Sequence, residues 1–447
     1  MKWLKDHAER NPDRQCINEW TYREVCKKVT GLAGKLDQIV KEEKRVALLS
    51  ENSPEMAVFL YALLLLKKEV FLLNKRLTAQ EIRRQTKNLG IRQIFSSGKE
   101  YCSFEEVQQV SGKQAAYDWE ICGEQIAVIL NTSATTGHCK SVPIRWKQLQ
   151  AHVRASAEVL GVREEDNWLA VLPLFHISGL SVLFRSLFNG TGVTILEKYE
   201  KETVCDLIST GSINMISLVP TVLTELVLDM PKHHLRVILL GGDFIPGKLV
   251  EQCREKKLPL YKTYGMTETT SQSTTFSVLE YPQKKDSVGR PLPGVKIEIR
   301  NPGRDGIGEI WIKSPMLMDG YLTMEPVTGF FHTGDIGYLD AEGFLYVLNR
   351  REDLIISGGE NIYPKEIEDL LYQLPGVTEC AVTAIEDSKW GQVPVLYVVS
   401  ELREEALKTY MEKRLAKYKI PKQIFFREGL PKNASGKIVR NLLREER

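Results

Sequence analysis

The sequence has no apolar run long enough to cross a bilayer. Its most apolar stretch, Met56 to Leu66, stops at Lys67 and Lys68, well short of the roughly 20 residues a membrane helix needs. It predicts a buried helix, and no membrane insertion. There is no C-x-x-C pair. The eight cysteines, at 16, 26, 102, 122, 139, 205, 253 and 380, are scattered, which argues against a zinc site or a disulfide framework and for reduced cytoplasmic thiols. There is no excess of either charge, since 60 Lys and Arg stand against 58 Asp and Glu. Nothing in that balance calls for nucleic acid or an acidic membrane as partner. A Walker-type G-x-x-x-x-G-K-[ST] is missing, as are internal repeats and low-complexity tracts. The opening Met1 to Asp6 carries charges through any apolar core, unlike a secretory signal.

What is present is a chain of 447 residues, too long for one hydrophobic core, so two or more domains are expected. Helical spacing of apolar residues marks Tyr22 to Leu36. Short apolar runs at Arg45–Leu49, Ile91–Phe95, Ile126–Leu130, Leu169–Leu172, Val193–Leu196 and Val237–Leu240 read as buried strands bounded by Gly, Pro or polar residues. Alternation of such strands with helices predicts a largely parallel sheet covered by helices. Val295–Ile299 and Gly308–Ile312, separated by Asn301-Pro302-Gly303 and Asp305-Gly306, read instead as antiparallel strands. A boundary is expected near Asn349 to Asp353. Beyond it come a helix over Ile362–Leu371, strands over Glu379–Ile385 and Val395–Val399, and an amphipathic helix over Glu404–Tyr418 with Leu407, Tyr410, Met411, Leu415 and Tyr418 on one face. The predicted fold is α/β: a large N-terminal domain, residues 1–349, with mostly parallel sheets and a β-subdomain, followed by a small α+β domain, residues 350–447.

Four short motifs carry the chemistry. In Thr132-Ser133-Ala134-Thr135-Thr136-Gly137-His138-Cys139-Lys140, the hydroxyls of Thr132, Ser133, Thr135 and Thr136, with backbone N–H groups near Gly137, suit a polyphosphate. Lys140 adds charge. Tyr264-Gly265-Met266-Thr267-Glu268 follows a predicted strand and offers an aromatic ring, a hydroxyl and one carboxylate; a hard cation on phosphates prefers a carboxylate. Thr333-Gly334-Asp335 offers a carboxylate able to accept from both hydroxyls of a ribose. Lys437 lies in Pro431-Lys432-Asn433-Ala434-Ser435-Gly436-Lys437, near the C-terminus. Each motif alone reads equally well as an ordinary turn.

In this order, and over nearly the whole chain from about Trp20 to Lys437, the motifs resemble those of the AMP-forming acyl-CoA synthetases, the adenylate-forming superfamily. The resemblance implies ATP with Mg2+, and CoA as cosubstrate. It puts Gly241 and Gly242 against adenine, together with Tyr264 and Gly265. Asp335 and Arg350 fall on the ribose, Thr267 on the α-phosphate, and Glu268 becomes the metal ligand. His176, in Leu172-Pro173-Leu174-Phe175-His176, falls where the superfamily places an acyl-pocket histidine; it counts with Lys437 among the catalytic candidates, as a gate or lining group rather than a base. Ser178, Ser181, Thr269 and Ser271 are the other acyl-pocket candidates. Gly358 and Gly359 face CoA in relatives, and Glu352, or its neighbour Asp353, aligns with the hinge on which the small domain rotates. Lys432, Arg440 and Arg444 are expected in solvent or on the nucleotide part of CoA.

Within the superfamily, His176 to Leu183, Met266 to Gln272 and Leu354 to Pro364 look like the o-succinylbenzoate–CoA ligases of menaquinone synthesis, as do Lys140-Ser141-Val142-Pro143 and Trp390-Gly391-Gln392-Val393-Pro394. Other aryl- or fatty-acyl-CoA ligases share every nucleotide motif. A stand-alone adenylation enzyme charging a carrier protein shares them too. The implied partners are small molecules, ATP, CoA and o-succinylbenzoate, and the sequence is compatible with a homo-oligomer.

The phosphate loop departs from the superfamily's usual T-S-G-T-T-G-x-x-K at Ala134, in place of glycine, and at Cys139, in place of a common proline. If position 134 needs positive φ, alanine costs on the order of 1 kcal/mol there. Ala134→Gly is therefore expected to leave the adenylation rate intact or to raise it, measured by pyrophosphate release. A large loss instead means that this loop's own packing requires alanine.

Overall fold

The computed structural model describes every residue except 114, 133–139, 244, 351–352, 358–359, 388–389, 416, 434–435 and 446–447. Two large sheets organise the first part of the chain. One has six strands in the order Cys102–Ser103, Ile94–Ser96, Arg45–Leu49, Glu69–Leu73, Ile126–Thr132, Lys140–Arg145. Its neighbours are parallel except the last pair, an antiparallel hairpin. The other has nine strands. It runs parallel from Leu260–Tyr264 through Val237–Leu240, Met215–Leu218, Asn167–Ala170 and Gly192–Ile195 to Gln15–Ile17, with antiparallel strands at both edges. Strands such as Val237–Leu240 are buried at every residue, which is why they read as continuous apolar runs.

The apolar stretch Met56 to Leu66 forms the helix Pro54–Leu65, with every residue from Met56 to Leu65 buried. A helix apolar on all sides belongs in a core. Ser53 caps it, accepting a hydrogen bond from Met56 N at 3.0 Å. Among the described residues no helix is long and apolar enough to cross a membrane.

A four-stranded antiparallel sheet, Lys296–Arg300, Gly308–Lys313, Phe331–Leu339 and Leu345–Arg350, follows. The last sheet has five strands, Ile355–Ser357, Glu360–Ile362, Val377–Asp387, Gly391–Ser400 and Gln423–Phe426. It has its own apolar cluster, including Ile355, Ile367, Leu371, Val382, Leu396, Leu407 and Met411. Lys365 Nζ donates to Val347 O at 2.5 Å and so ties this unit to the four-stranded sheet.

Three sequence expectations are corrected. The helix expected from Ile362 begins at Pro364; Ile362 closes a hairpin with Ile355 instead, and proline is well placed at a helix's first position. The helix expected to reach Tyr418 ends at Glu412. Leu415 still packs on the core from the following turn, whereas Tyr418 is exposed, so no burial extends the helix that far. The strand expected from Ile91 starts at Ile94, because Ile91 N donates to Thr86 O and closes the preceding helix.

The candidate residues ride on β1 (Ile126–Thr132), β2 (Lys140–Arg145), α1 (Ile177–Asn189), β3 (Val237–Leu240), β4 (Leu260–Tyr264), β5 (Phe331–Leu339), β6 (Leu345–Arg350), α2 (Pro364–Tyr372) and β7 (Val377–Asp387), and on the turns that follow them.

Candidate active site

The hairpin of β1 and β2 sets Thr132 opposite Lys140. Ser133, Thr135, Thr136 and Gly137, between them, lie outside the described residues. Lys140 Nζ sits 5.0 Å over the ring of Tyr321, and the Tyr321 hydroxyl donates to Glu268 Oε1 at 2.8 Å. Burial, and next the negative charge of Glu268, raise the pKa of that hydroxyl and keep it a donor. Cation, phenol and carboxylate thus form one contiguous group, with Thr267 and Glu268 on a single turn of 3-10 helix after β4. Among the described residues, no cluster of three His, Cys, Asp or Glu could hold a metal alone. One carboxylate in such a group fits Mg2+, which keeps water and phosphate oxygens as its other ligands.

Asp335 on β5 stands opposite Arg350 on β6, although the Arg350 side chain is not among those described. The Tyr264 hydroxyl, at the end of β4, donates to Asp335 Oδ2 at 2.5 Å, so these two ribose and adenine candidates meet. Gly334 has φ +79°, and Asp335 N donates to Thr333 Oγ1 at 3.1 Å.

The glycines nearby are explained by the protein's own packing. A Cβ on Gly241, just after β3, would lie 2.6 Å from Thr263 Cγ2, and one on Gly265 would lie 1.5 Å from Ser271 O. Gly265 lets the turn after β4 fold back on itself. Gly242, at φ +85°, needs the left-handed freedom that glycine has.

Lys437 reaches this region from the C-terminal unit. Its Nζ lies 3.9 Å from Asp243 Oδ1, directly after Gly241-Gly242. A tight turn presents it: Asn433 N donates to Lys437 O at 2.8 Å and Lys437 N to Asn433 Oδ1 at 3.0 Å. Glu352, Gly358 and Gly359 lie outside the described residues. The two glycines fall between Ser357 and Glu360, which pair across a hairpin.

On the acyl side, His176 immediately precedes α1, and its ring caps nothing. Its Nε2 is buried with no hydrogen-bond partner among the described residues. Burial, and next the charge of Arg76, push its pKa down to about 4, so the ring is neutral at pH 7. Ser178 is half-buried, and its carbonyl accepts from Ser181 Oγ at 3.2 Å. Ser181 Oγ lies 3.4 Å from Ser271 Oγ, which joins α1 to the turn after Glu268. That turn holds Thr270 at φ +53° and Ser271 at φ +88°, a strained conformation for non-glycine residues of the sort that clusters at functional sites. Thr270 Oγ1 anchors it on Met316 O at 2.7 Å. Thr269 is fully buried, with its hydroxyl engaged by Met266 and Ser273, so it supports the turn while Ser271 faces α1.

Sequence reading passed over Arg185, the one charged residue in α1. It is 2% exposed. Nη2 donates to Ser181 Oγ at 2.8 Å and Nε to His152 Nε2 at 3.4 Å, and the guanidinium lies 5.1 Å from the centre of the Trp168 ring. Burial lowers its pKa to about 9, which leaves it cationic at pH 7. Nη1 has no hydrogen-bond partner among the described residues. A buried cation without a counter-charge is costly, by several kcal/mol, and the Ser181–Ser271 contact lies directly beside it. A lone arginine in an otherwise apolar helix was the available signal. Tyr321 carried none.

One of the basic residues around Lys437 is corrected, while Lys432 is exposed as expected. Arg440 is not in solvent: Nη2 bonds both oxygens of Glu368, at 2.9 and 2.7 Å. Lys432 pairs with Glu379. The Arg444 side chain lies outside those described.

The AMP-binding enzyme family profile matches residues 4–322, and that of the AMP-binding enzyme C-terminal domain matches residues 366–437. The chain belongs to the AMP-binding enzyme family. It is 52% identical over 450 residues to the 2-succinylbenzoate–CoA ligase of Lactococcus lactis, covering 99% of this chain and 100% of that one. It is 38% identical to the same enzyme of Bacillus cereus, over 99% and 98% of the two chains. Among solved structures it is similar to o-succinylbenzoate CoA synthetase from Bacillus subtilis in complex with the acyl-adenylate intermediate, with TM-score 0.93 and 37% identity over 100% and 98% of the chains. The same synthetase in complex with ATP and magnesium ion has TM-score 0.93 and 36% identity over 99% of each chain.

The depressed pKa of His176 sets a test. In the folded protein the ring resists protonation, whereas the unfolded chain takes up a proton near pH 6.5. Its contribution to stability is therefore present above pH 6.5 and is lost as pH falls toward 4. The His176 ring resonances in NMR are expected to stay in the neutral form down to about pH 5; a midpoint near 6.5 would mean that the ring is solvated.

Proposed function

We propose that this protein is an ATP-dependent o-succinylbenzoate–CoA ligase that acts in the cytoplasm in menaquinone biosynthesis. The full-length likeness to 2-succinylbenzoate–CoA ligases, at 52% identity, carries this reading. In the first step an oxygen of the substrate carboxylate attacks the α-phosphorus of ATP, the bond to pyrophosphate breaks, and acyl-AMP forms. In the second the CoA thiolate attacks the acyl carbon and AMP leaves.

Attacking carboxylate and α-phosphate repel each other. The Lys437 ammonium, beside Asp243, bridges the two and stabilises the crowded transition state. Thr132, Lys140 and the loop between them hold the outer phosphates, and Thr267 meets the α-phosphate. Glu268, held by Tyr321, is the protein's ligand to Mg2+, which neutralises phosphate charge when bound. Asp335 and Arg350 take the ribose, and Tyr264 and Gly241-Gly242 border the adenine. Neutral His176 lines the acyl pocket. For the second step, the unit 350–447 rotates about Glu352 against the unit 1–349, withdraws Lys437 and brings Gly358 and Gly359 toward CoA.

Buried Arg185 supports the choice of a substrate with a second carboxylate. The Ser181 and Ser271 hydroxyls lie beside it, and no acidic residue occurs in 176–181 or 269–272 to compete. A second carboxylate there supplies the counter-charge that Arg185 lacks among the described residues. A site built to bond a charged group rejects analogues without it strongly.

Products and rates measured with ATP, CoA and a panel of o-succinylbenzoate, benzoate, 4-coumarate and a medium-chain fatty acid test the proposal. o-Succinylbenzoate is expected to have the highest kcat/KM; a monocarboxylate in first place leaves only a general acyl-CoA ligase. Arg185→Met keeps an unbranched stem and removes the charge. It is expected to lower kcat/KM for o-succinylbenzoate by roughly tenfold or more, in line with about 1.5–3 kcal/mol for a hydrogen bond to a charged group. The rate with benzoate, already low, is expected to change little. Equal losses with both acids would assign Arg185 to packing alone.

A further inference from the structure

The Lys437 turn is braced on its far side by a buried ion pair. Arg440 leaves the turn after Ile438 and Val439. Lys432 and Ile438 form an isolated antiparallel bridge, and Val439 N donates to Pro431 O at 2.8 Å. The backbone from Pro431 to Val439 is therefore closed on itself, and the placement of Arg440 carries through to Lys437. Glu368, on α2, is 3% exposed. Its Oε1 accepts from Val382 N on β7 at 2.7 Å, and both of its oxygens accept from Arg440 Nη2. One carboxylate thus fixes helix, strand and turn together. Arg440 Nη1 lies 3.7 Å from Asp353 Oδ2, next to the segment that joins the two units. On the opposite side, the turn meets the first unit at two points: Lys437 Nζ near Asp243, just after Gly241-Gly242, and Gly436, where a Cβ would lie 3.0 Å from Thr221 Oγ1, in the helix Pro220–Leu228. There is little slack between these points and the Arg440–Glu368 pair.

We propose that Arg440 is a positioning residue for the adenylation step: paired with Glu368 and adjacent to Asp353, it holds the Lys437 turn at the reach that carries the ammonium to the nucleotide. The inference rests on the proposed role of Lys437. It predicts a selective defect, because Lys437 serves the first step and is withdrawn for the second. An ammonium displaced by about 1 Å loses on the order of a hundredfold in rate.

The test measures two half-reactions in the full-length protein: pyrophosphate release from ATP and o-succinylbenzoate, and CoA-dependent consumption of supplied o-succinylbenzoyl-AMP. Arg440→Met is expected to lower kcat of the first by roughly ten- to a hundredfold, with KM for ATP unchanged within about twofold and the second step within about threefold. Arg440→Lys retains one charged donor and is expected to restore part of the loss. In a Lys437→Ala background, Arg440→Met is expected to cost nothing further, since residues acting through one another are not additive. Equal loss in both half-reactions, a further loss in the Lys437→Ala background, or full adenylation by Arg440→Met would each overturn the positioning role. Lys437→Ala alone separates the two ideas: if it adenylates normally, the role of Lys437 fails and the Arg440 inference falls with it. If Lys437→Ala is inactive while Arg440→Met is not, only the inference about Arg440 fails.

Discussion

In the proposed reaction a single ammonium has to reach from near the end of the chain to a nucleotide site built from loops far earlier in it, and much of the architecture answers that constraint. A lysine on an unsupported tail would lose its order to conformational entropy before it could act. Here the lysine sits in a turn whose two ends are bonded to each other, secured to the C-terminal sheet by the Arg440–Glu368 pair and set against Thr221 and Asp243 in front. Lys365, donating to Val347 O, adds a second tie between the last two sheets. The small unit thus acts as a handle for one charge.

Opposite charges are handled differently on the two sides of the reaction centre. On the nucleotide side, groups are already joined to each other: Tyr264 to Asp335, Tyr321 to Glu268, Lys140 over Tyr321. Such pairs hold their geometry before a ligand arrives, which lowers the cost of ordering on binding. On the acyl side, a buried guanidinium is bonded only to neutral groups, Ser181 and His152, among the described residues. The first arrangement is generic to any adenylate-forming reaction. Under the proposed function the second selects for charge on the acid, which would concentrate substrate choice in one helix and the turn that faces it.

Strain and close packing appear where those two sides meet. The turn from Gly265 to Ser273 passes from adenine candidate to metal ligand to acyl pocket within a few residues. It does so with two left-handed non-glycine residues and a glycine that tolerates no Cβ. Hydroxyls of Thr269, Thr270 and Ser273 hold it in place from within. Thr269, a ligand candidate in the sequence, thus has its hydroxyl occupied by the protein itself.

The apolar runs located the strands, with ends shifted by up to three residues at Ile94–Ser96 and Asn167–Ala170, since strands buried on both faces read as short continuous apolar runs. Met56 to Leu66 was legible as a buried helix because it is apolar throughout and too short to cross a bilayer. The motifs around Thr132, Glu268, Asp335 and Lys437 were legible through their order along the chain, which resembles that of the adenylate-forming superfamily; each alone reads as an ordinary turn. Local spacing has no access to what lies across space. Nothing near Tyr321 in the chain announces Glu268, and Arg440 reads as a solvated surface charge until Glu368 is set beside it. Whether Thr269 or Ser271 faces the acyl pocket depends on which way a strained turn points. Arg185 was visible as an oddity, but only the fold gave it meaning, by burying it among neutral groups beside Ser181 and Ser271. Burial and partnership are properties of the tertiary structure, and they decided which polar residues serve the reaction and which serve the fold.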